Sequence, residues 1–560
     1  MSMFLGIYGN APREDFQAMI QALDIRSTDQ THSHDTPDFK CFHLDIGGWE
    51  GAGTDPEDPL PLALAGNPIL GGGHRDGARK VLADKLRPTD LSVLDQCRGS
   101  FALCQYHPPS RSLILATDKA GVRPLYYVFH RGALYFSTAL KCLTRLPGLG
   151  EFSPRGLAQD WSFGAPLGTA TRFKKIRVLR DGQALVMDPD ETQARPLDYH
   201  RWDALPTTET PPSPEVFHDI FTRAVALRCP PGNQADAFLS GGLDSRCITA
   251  ALQSLDKEVR VFNSYLPGEQ DQAFTRDYAR ATGLELISLP RAGTAASTRA
   301  LLADTIQEAE NHLGQRPGLI FSGDGGSVPM GHVYLEEDLV RALERGDTPD
   351  ARTRFMDQRQ LPLRVLARGL FQADENPSFD GLDAELDDLG TPDPLQAFFL
   401  FLLRNDQRCH LHGYFEDLDQ IRTELALPFF DARLLEHIVA APRKPFLYHD
   451  FYHDWLTAFP PQVMATAWQT YPGHRPCPVA SPHGESLTQW EAKPGELTWP
   501  KRMNQARDCL RGLVRSDFPA AIISRPRVVA TLAAHVLGLR DYRYVFKFCR
   551  HIQALTRISA

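Results

Sequence analysis

Short apolar runs separated by polar loops dominate the first 200 residues of the chain. The loops are rich in Gly, Pro and Asp, which favour turns. Apolar runs of this length, bounded by turns, are typical of strands in an antiparallel sheet. The pattern predicts strands at residues 4–8, 42–46, 101–105, 113–117, 125–129 and 133–137.

Strand and helix patterns alternate after a polar, proline-rich linker at 203–213. Such alternation predicts a parallel sheet that binds ligands at the carboxyl ends of its strands. We therefore predict two domains, residues 1–205 and 206–560. Residues 335–425 have a helical pattern interrupted by an acidic stretch at 374–393, which we expect to be a solvated loop. The helices are predicted at 214–228, 272–282 and 298–310, and the strands at 237–239, 258–266, 284–289 and 319–321.

A glycine turn follows the short strand that ends near residue 239, and a helical pattern begins at Ser245. This arrangement aims backbone N–H groups and a helix N-terminus at one point, which suits a phosphate chain. The hydroxyls of Ser240 and Ser245 add donors, and Asp244 is a candidate ligand for a divalent metal. There is no GK[ST] after the glycines, so this is not a Walker loop. The predicted binding residues of this loop are Leu239, Ser240, Gly241, Gly242, Asp244 and Ser245.

A second strand-then-glycine segment lies about eighty residues later. Residues 319–321 are apolar, and Ser322, Gly323 and Asp324 follow them before two further glycines. Two such loops after parallel strands are more specific than either one alone. Ser322 and Gly323 are predicted to bind the same ligand, with Asp324 as a catalytic candidate.

Composition restricts the class of protein. The chain has 560 residues, of which 42% are hydrophobic and 23% charged, as expected for a globular protein of two or three domains. No apolar run is long enough to span a membrane, and we see no signal peptide. The ten cysteines form no CxxC pair, so we expect a cytoplasmic protein without a zinc or redox site.

Charge is unevenly distributed. The net charge is −9, yet residues 501–560 hold twelve Lys or Arg and three Asp and therefore carry +9. This segment either balances acidic residues of the same chain or forms a basic face for pyrophosphate or for an acidic partner. It lacks regularly spaced aromatic residues, so we expect no nucleic acid partner.

The two glycine loops resemble signatures of asparagine synthetase-like, AMP-forming ligases. Residues 240–245 resemble the SGGxDS pyrophosphate loop, and residues 118–127 resemble a hairpin in the glutaminase half of asparagine synthetases. The resemblance implies an α/β protein with an N-terminal Ntn-hydrolase-like antiparallel sheet sandwich. It further implies a C-terminal parallel-sheet domain of the PP-loop ATP pyrophosphatase type, with ATP and Mg²⁺ as cofactors. Adenine is then expected near Phe262, Asn263 and Ser264.

The glutaminase residues of that family are replaced. The family's nucleophilic Cys matches Leu5 in this alignment, its glutamine-binding Arg matches His43, and its NGE motif falls on residues 66–68. A leucine has no nucleophile, so we expect an inactive glutaminase. Ser2, exposed by removal of Met1, is an alternative nucleophile, but its strand register disfavours it.

The ligase half also departs from the family. Ser327 stands where the family has a second Mg²⁺-binding Asp, which leaves Asp244 as the metal residue. Glu424 matches a family Glu and is a catalytic candidate. The family's Lys, which stabilises the departing pyrophosphate, is missing, and the resemblance makes His474 or Arg475 its replacement.

The stretch 469–478 resembles lasso-peptide cyclases more than asparagine synthetases. This resemblance implies macrolactam formation on a precursor peptide, with a leader peptidase or leader-binding protein as a further partner. Three alternatives remain open. They are a small-molecule amide ligase similar to β-lactam synthetases, an ammonia-dependent asparagine synthetase, and a non-catalytic binding module.

Overall fold

The fold is described from a computed structural model of the chain. It describes residues 1–558 except 56, 58–60, 72–73, 190, 192–193, 266–269, 291–297, 358, 360–364, 373–374, 416–420, 483–497 and 516–517. Part of the acidic stretch at 374–393 therefore lies outside the described residues.

Among the described residues, the first part of the chain contains eleven strands and five helices. The strands are β1 (Met3–Tyr8), β2 (Gln30–Asp35), β3 (Phe39–Asp45), β4 (Leu62–Gly66), β5 (Phe101–His107), β6 (Ser112–Thr117), β7 (Tyr126–His130), β8 (Ala133–Ser137), β9 (Arg177–Val178), β10 (Gln183–Met187) and β11 (Arg195–Asp198). The helices are α1 (Arg13–Gln21), α2 (Arg75–Lys85), α3 (Ser92–Asp95), α4 (Leu140–Thr144) and α5 (Pro154–Phe163).

These strands form two antiparallel sheets. One has the order β2-β3-β1-β8-β7-β9 and the other the order β11-β10-β6-β5-β4. Alternate residues of β1 explain the layering, because Phe4 belongs to a cluster with residues of β5 and β6, whereas Leu5 packs with α1 and α4. The predicted antiparallel sandwich is confirmed.

The second part of the chain continues with one sheet and many helices. Its strands are β12 (Gln234–Phe238), β13 (Glu258–Tyr265), β14 (Glu285–Pro290), β15 (Leu319–Phe321) and β16 (Glu424–Ala426). Its helices are α6 (Pro214–Ala226), α7 (Asp244–Ser254), α8 (Gln270–Thr282), α9 (Thr298–Leu313), α10 (Ser327–Gly331), α11 (Glu337–Glu344), α12 (Thr348–Asp357), α13 (Pro377–Asp387), α14 (Pro394–Phe401), α15 (Arg408–Phe415), α16 (Ala432–Ala440), α17 (Asp450–Leu456), α18 (Trp499–Leu513), α19 (Arg525–Val536) and α20 (Arg543–Ile558).

The five strands of the second part form one sheet, which is fully parallel and has the order β14-β13-β12-β15-β16. Chain order reverses at β12, because its neighbours β13 and β15 are reached by crossovers in opposite directions. Ligands of open parallel sheets bind at the carboxyl ends of strands beside such a point. The predicted parallel sheet is therefore confirmed. The two glycine loops follow the neighbouring strands β12 and β15.

The acidic stretch departs from the prediction. Helix α13 occupies much of it, so a continuous solvated loop is wrong for those residues. The cause is local, since the Asn376 side chain accepts a hydrogen bond from the Phe379 N–H and Pro377 stands at the first helical position. Asn at the N-cap and Pro at the next position both favour helix initiation. The prediction of a loop rested on the many acidic residues and did not include these two helix signals.

The two parts of the chain share one core. Met1, Val122 and Trp202 from the first part belong to the same hydrophobic cluster as β12, α7 and α17. Buried ion pairs join them as well: Asp431 is fully buried and contacts Arg98 from the first part at 2.8 Å. Arg228 contacts the other carboxylate oxygen of Asp431 at 2.9 Å.

None of the helices within the described residues is both long enough and apolar enough to cross a membrane.

We expect Asp431→Ala to lower the free energy of unfolding by about 3–5 kcal/mol, because it leaves two arginines without their buried carboxylate. Asp431 also caps α16 by accepting from the Arg433 and Leu434 N–H groups. Asp393→Ala is the matched control: this exposed residue caps α14 without an interior ion pair, so it should cost about 1 kcal/mol. Urea denaturation of both variants tests this, and equal losses would contradict it.

Candidate active site

The first glycine loop closes on itself through serine hydroxyls. The Ser240 N–H donates to the Ser245 hydroxyl at 3.0 Å, and the Gly242 N–H donates to the Ser240 hydroxyl at 3.3 Å. The Gly241 N–H donates to Asp271 of α8 at 2.8 Å. The loop is therefore preorganised, and it directs α7 with Asp244 in its first turn toward the carboxyl edge of the sheet.

Asp244 is the half-buried centre of this region. Its carboxylate accepts hydrogen bonds from the Ser327 N–H at 3.0 Å, from the Ser327 hydroxyl at 2.9 Å and from the Tyr452 hydroxyl at 2.8 Å. Burial raises the pKa of Asp244 to about 6, although these hydrogen bonds act in the opposite direction. The two glycine loops and α17 thus meet at one carboxylate.

Two glycines of the second loop permit this contact. A Cβ on Gly326 would lie 2.3 Å from the Asp244 carboxyl carbon, so a side chain there would displace Asp244. Gly325 has a φ of +86° and packs against the Phe430 ring, which also requires glycine. The close approach of the loops is therefore encoded by these two positions.

Asp324 lies in the same loop within a polar chain. The Ser322 hydroxyl donates to Asp324 at 2.5 Å, and the His410 ring nitrogen lies 3.7 Å from the other carboxylate oxygen. Burial alone would raise the pKa of Asp324, but His410 and Ser322 together lower it below its usual value. The carboxylate is therefore ionised at neutral pH and able to accept a proton.

The carboxyl end of β13 forms another wall of the site. The Phe262 carbonyl accepts from the Leu239 N–H at 2.9 Å, which fixes the start of the first loop. Asn263 is buried, and its side-chain amide donates to the Leu239 carbonyl at 2.9 Å and to Asp271 at 3.0 Å. Ser264 follows and is half-buried. Phe262 and Asn263 therefore hold the start of the first loop, and Ser264 is the next residue of β13.

His474 reaches the site through a second histidine. The Nδ1 atoms of His474 and His449 are 2.8 Å apart, so one ring donates to the other. The His449 ring stacks on Tyr471 with centroids 5.5 Å apart, and Tyr471 interacts with Ser327 beside Asp244. Burial lowers the pKa of His474 to about 4, so its ring is neutral at pH 7.

Arg475 is the weaker of the two predicted cations. Its side chain is 45% exposed, and its guanidinium lies 3.3 Å from the Asp454 carboxylate. Its backbone N–H donates to the Tyr448 carbonyl at 3.0 Å. The structure therefore joins Arg475 to α17 and not to either glycine loop.

Glu424 requires a correction. Ala426 lies beside Phe321 at the carboxyl edge, but Glu424 pairs with Leu319 two residues earlier, about 7 Å toward the opposite edge. Its carboxylate is fully buried, accepts from the Ser2 N–H at 2.6 Å and forms an ion pair with Arg123. Glu424 thus connects the two parts of the chain through Ser2 and Arg123. Its pairing with Leu319 places it away from the carboxyl edge, where the glycine loops lie.

The residues that the sequence alignment sets at glutaminase positions make contacts within the protein. Leu5 is buried in the middle of β1, between β3 and β8. His43 donates to the Leu64 carbonyl at 2.9 Å, and burial lowers its pKa to about 4. The Ser2 hydroxyl donates to Asp45 at 2.8 Å, and Ser2 is buried.

An arginine does lie in this region, although the alignment places a histidine there. Arg75 of α2 is fully buried and donates to Asp45 at 2.6 Å and to the Leu64 carbonyl at 2.8 Å. Asp45 neutralises it, so this guanidinium is already bound within the protein.

Several residues of the site were not found in the sequence. Tyr452 and His410 come from distant helices, and Asp271 begins α8. Ser327 was predicted only as a weak metal ligand, whereas it donates twice to Asp244. Of these, only Asp271 carried a usable signal, as an acidic residue in the first turn of a helix that follows a parallel strand.

Two families match separate parts of the chain. Residues 79–200 match a family described as glutamine amidotransferase domain, and residues 217–320 match one described as asparagine synthase. The first match begins after the segment that holds Leu5 and His43. The second includes the first glycine loop.

Individual relatives are distant. The chain is 26% identical over 173 residues to amidase chry2 of Gibberella zeae, covering 30% of this chain and 25% of the amidase. It is 24% identical over 221 residues to glutamine-hydrolyzing asparagine synthetase 1 of Bacillus subtilis, covering 38% of this chain and 34% of the synthetase. The chain thus spans about a quarter to a third of the length of these relatives.

A solved structure of glutamine phosphoribosylpyrophosphate amidotransferase from B. subtilis covers 51% of this chain and 65% of its own. Its sequence identity is 11% and its TM-score is 0.22, a similarity too low to support a conclusion.

We expect the purified protein to release no ammonia from glutamine above a heat-denatured control. Leu5 offers no nucleophile, and the Ser2 hydroxyl is held by Asp45. A coupled glutamate dehydrogenase assay measures this directly. Ammonia release that disappears in Ser2→Ala would contradict the expectation and identify Ser2 as a nucleophile.

Proposed function

We propose that this protein is an ATP-dependent carbon–nitrogen ligase that closes a macrolactam in a precursor peptide. The observation that carries the proposal is the meeting of two glycine loops at the half-buried Asp244 carboxylate. The match of residues 217–320 to asparagine synthases supports the ligase class. Residues 206–560 would carry the reaction, and residues 1–205 would serve as a scaffold.

The proposed chemistry begins with a side-chain carboxylate of the peptide. A carboxylate is a poor electrophile, so ATP converts one of its oxygens into a leaving group as an acyl-adenylate. The hydroxyls of Ser240 and Ser245, with the N-terminus of α7, would bind the departing pyrophosphate. The edge formed by Phe262, Asn263 and Ser264 would receive the adenosine.

Mg²⁺ fits the residues present, with Asp244 as its protein ligand. Asp244 is a half-buried carboxylate that accepts three hydrogen bonds and has a raised pKa, and a bound cation would favour its ionised form. Within the described residues, no group of three or more His, Cys, Asp or Glu side chains is arranged to hold a metal ion. One carboxylate plus phosphate oxygens is sufficient for Mg²⁺, which would neutralise phosphate charge when bound.

Asp324 would serve the attacking amine. An α-amino group has a pKa of about 7.7–8.0, so a fraction is already neutral at pH 7 and needs orientation more than a strong base. The ionised Asp324 would orient it and accept its proton, with His410 sharing the charge. A folded peptide that holds amine and carboxylate together supplies much of the rate by proximity.

The pyrophosphate side would be completed by the His474–His449 pair. His474 is neutral in the structure, and an anionic pyrophosphate nearby would raise its pKa and favour its charged form. Two observations favour a peptide amine over ammonia as the nucleophile. Leu5 offers no group to release ammonia from glutamine, and residues 469–478 resemble lasso-peptide cyclases.

We expect Asp244→Ala to reduce ATP–pyrophosphate exchange to background, because it removes the metal-binding carboxylate. Ser327→Ala should reduce exchange by only about tenfold, the value of one hydrogen bond to a charged group. Ser254→Ala, at the other end of α7, is the matched control and should leave exchange unchanged. Equal losses from Asp244→Ala and Ser327→Ala would contradict a metal held by Asp244 alone.

We expect the enzyme with ATP and Mg²⁺ to convert a linear peptide into a product one water lighter, with AMP and pyrophosphate formed. Mass spectrometry measures this, and replacing the acceptor Asp or Glu by Asn or Gln should stop it. Asp324→Asn should slow ring closure by about a hundredfold while affecting exchange less, because it serves the second step. The exposed Asp304→Asn is the control.

The opposing result is equally clear. If peptides never stimulate AMP formation while aspartate plus ammonia does, the macrolactam proposal is wrong and an ammonia-dependent asparagine synthetase replaces it. If neither supports exchange, the ligase proposal fails altogether.

A further inference from the structure

Exposed apolar side chains are concentrated in the C-terminal helices. Ten large hydrophobic side chains are exposed among the described residues, and seven of them lie between residues 499 and 544. Leu537 and Leu539 are 73% and 75% exposed, and Trp499 is 64% exposed. The seven are Trp499, Leu510, Val514, Val529, Leu537, Leu539 and Tyr544.

Helix α19 is apolar on the face that lies outside the core. Its buried face packs through Val528 and Leu532 into a cluster with α18 and α20. A surface helix normally carries polar residues on the opposite face, and a helix that is apolar all round is normally buried. We call the exposed residues the α19 stripe: Pro526, Val529, Ala530, Ala533 and Leu537.

Helix α18 lies antiparallel to α19 and extends this surface. Arg502, near the start of α18, donates to the His535 carbonyl at 2.9 Å near the end of α19. At the other end, Arg525 donates to the Arg515 carbonyl at 3.4 Å. Trp499 therefore belongs to the same end of the helix pair as Leu537.

Basic residues predominate in the segment that contains the stripe. Residues 501–560 carry +9, and only two exposed acidic residues, Asp508 and Asp541, are described in this segment. The exposed basic residues are Lys501, Arg507, Arg511, Arg515, Arg525, Arg540, Arg543 and Lys547. An exposed apolar stripe in a strongly basic segment is complementary to an amphipathic helix with acidic flanks.

Two other occupants are disfavoured by charge. A symmetric dimer through this surface would bring +9 against +9. A flat anionic membrane would also approach the rest of the chain, which carries −18. A peptide helix contacts the basic unit alone and avoids both penalties.

We propose that the α19 stripe and its basic surroundings bind an acidic, amphipathic helical segment of a partner polypeptide. The stripe supplies the apolar contact, and the arginines select for acidic flanks and fix the orientation. This surface is separate from the glycine loops, so binding does not depend on the ligase chemistry.

Fluorescence anisotropy with the full-length protein tests the proposal. The probe is a labelled helical peptide of about 16 residues with leucines at i, i+3, i+4 and i+7 and glutamates elsewhere. Its control carries glutamine in place of every glutamate. We expect the glutamate peptide to bind at least about tenfold more tightly, and this advantage to fall when salt rises from about 0.05 to 0.3 M.

Two variants locate the site. The double variant Val529→Gln with Leu537→Gln should weaken binding by about tenfold, because it removes two apolar contacts. Both side chains are exposed, so its melting temperature should match that of the wild type. Val216→Gln, a 50% exposed valine on α6, should leave binding unchanged.

Three outcomes overturn the proposal. Equal affinities for the glutamate and glutamine peptides would remove the acidic partner. Unchanged binding by the double variant would show that the α19 stripe is not the binding site. Binding of phosphatidylserine vesicles without binding of the peptide, lost in the double variant, would assign this surface to a membrane.

Discussion

The Asp244 carboxylate is the group on which the arrangement of the candidate site depends. It is half-buried, and removing a carboxylate from water is costly unless polar groups or a cation stabilise it. Ser327 from the second loop and Tyr452 from α17 provide that stabilisation. Because the carboxylate and its two donor residues come from three separate parts of the chain, these hydrogen bonds fix the two glycine loops and α17 against each other.

The two parts of the chain are held together by similar chemistry. Asp431 receives Arg98 from one part and Arg228 from the other, and Glu424 receives Arg123 and the Ser2 N–H. Each of these carboxylates is buried and would be destabilising without its partners. A first part without the family's nucleophile would thus still be required, because it completes the core and the charge balance of the sheet that bears the site.

Local patterns predicted much of the fold. Strands such as β1, β6 and β8 follow from apolar runs bounded by turns, and the two glycine loops follow from strand-then-glycine signals. β2 was not predicted because its alternating polar residues, Gln30–Asp35, give no apolar run at all. The acidic residues of α13 predicted a solvated loop, whereas its N-cap Asn376 and the following Pro377 favour a helix.

Contacts between distant residues explain the remaining errors at the site. No sequence pattern indicates that Tyr452 and His410 contact the glycine loops, because only the packing of distant helices brings them there. Glu424 shows the converse: its motif was legible, but parallel pairing with β15 puts it at the wrong edge of the sheet. His474 is connected to the site by its hydrogen bond to His449. The backbone of His449 has a φ of +67°, which no sequence pattern predicts.

The transfer of labelled oxygen tests the central claim most directly. A peptide whose acceptor carboxylate carries heavy oxygen should pass one labelled atom to the phosphate of AMP when the ring closes, because the acyl-adenylate breaks at the carbonyl carbon. Mass spectrometry of AMP measures it. Label found in inorganic phosphate or pyrophosphate, or label absent from AMP while the ring still forms, would contradict adenylation by these two loops.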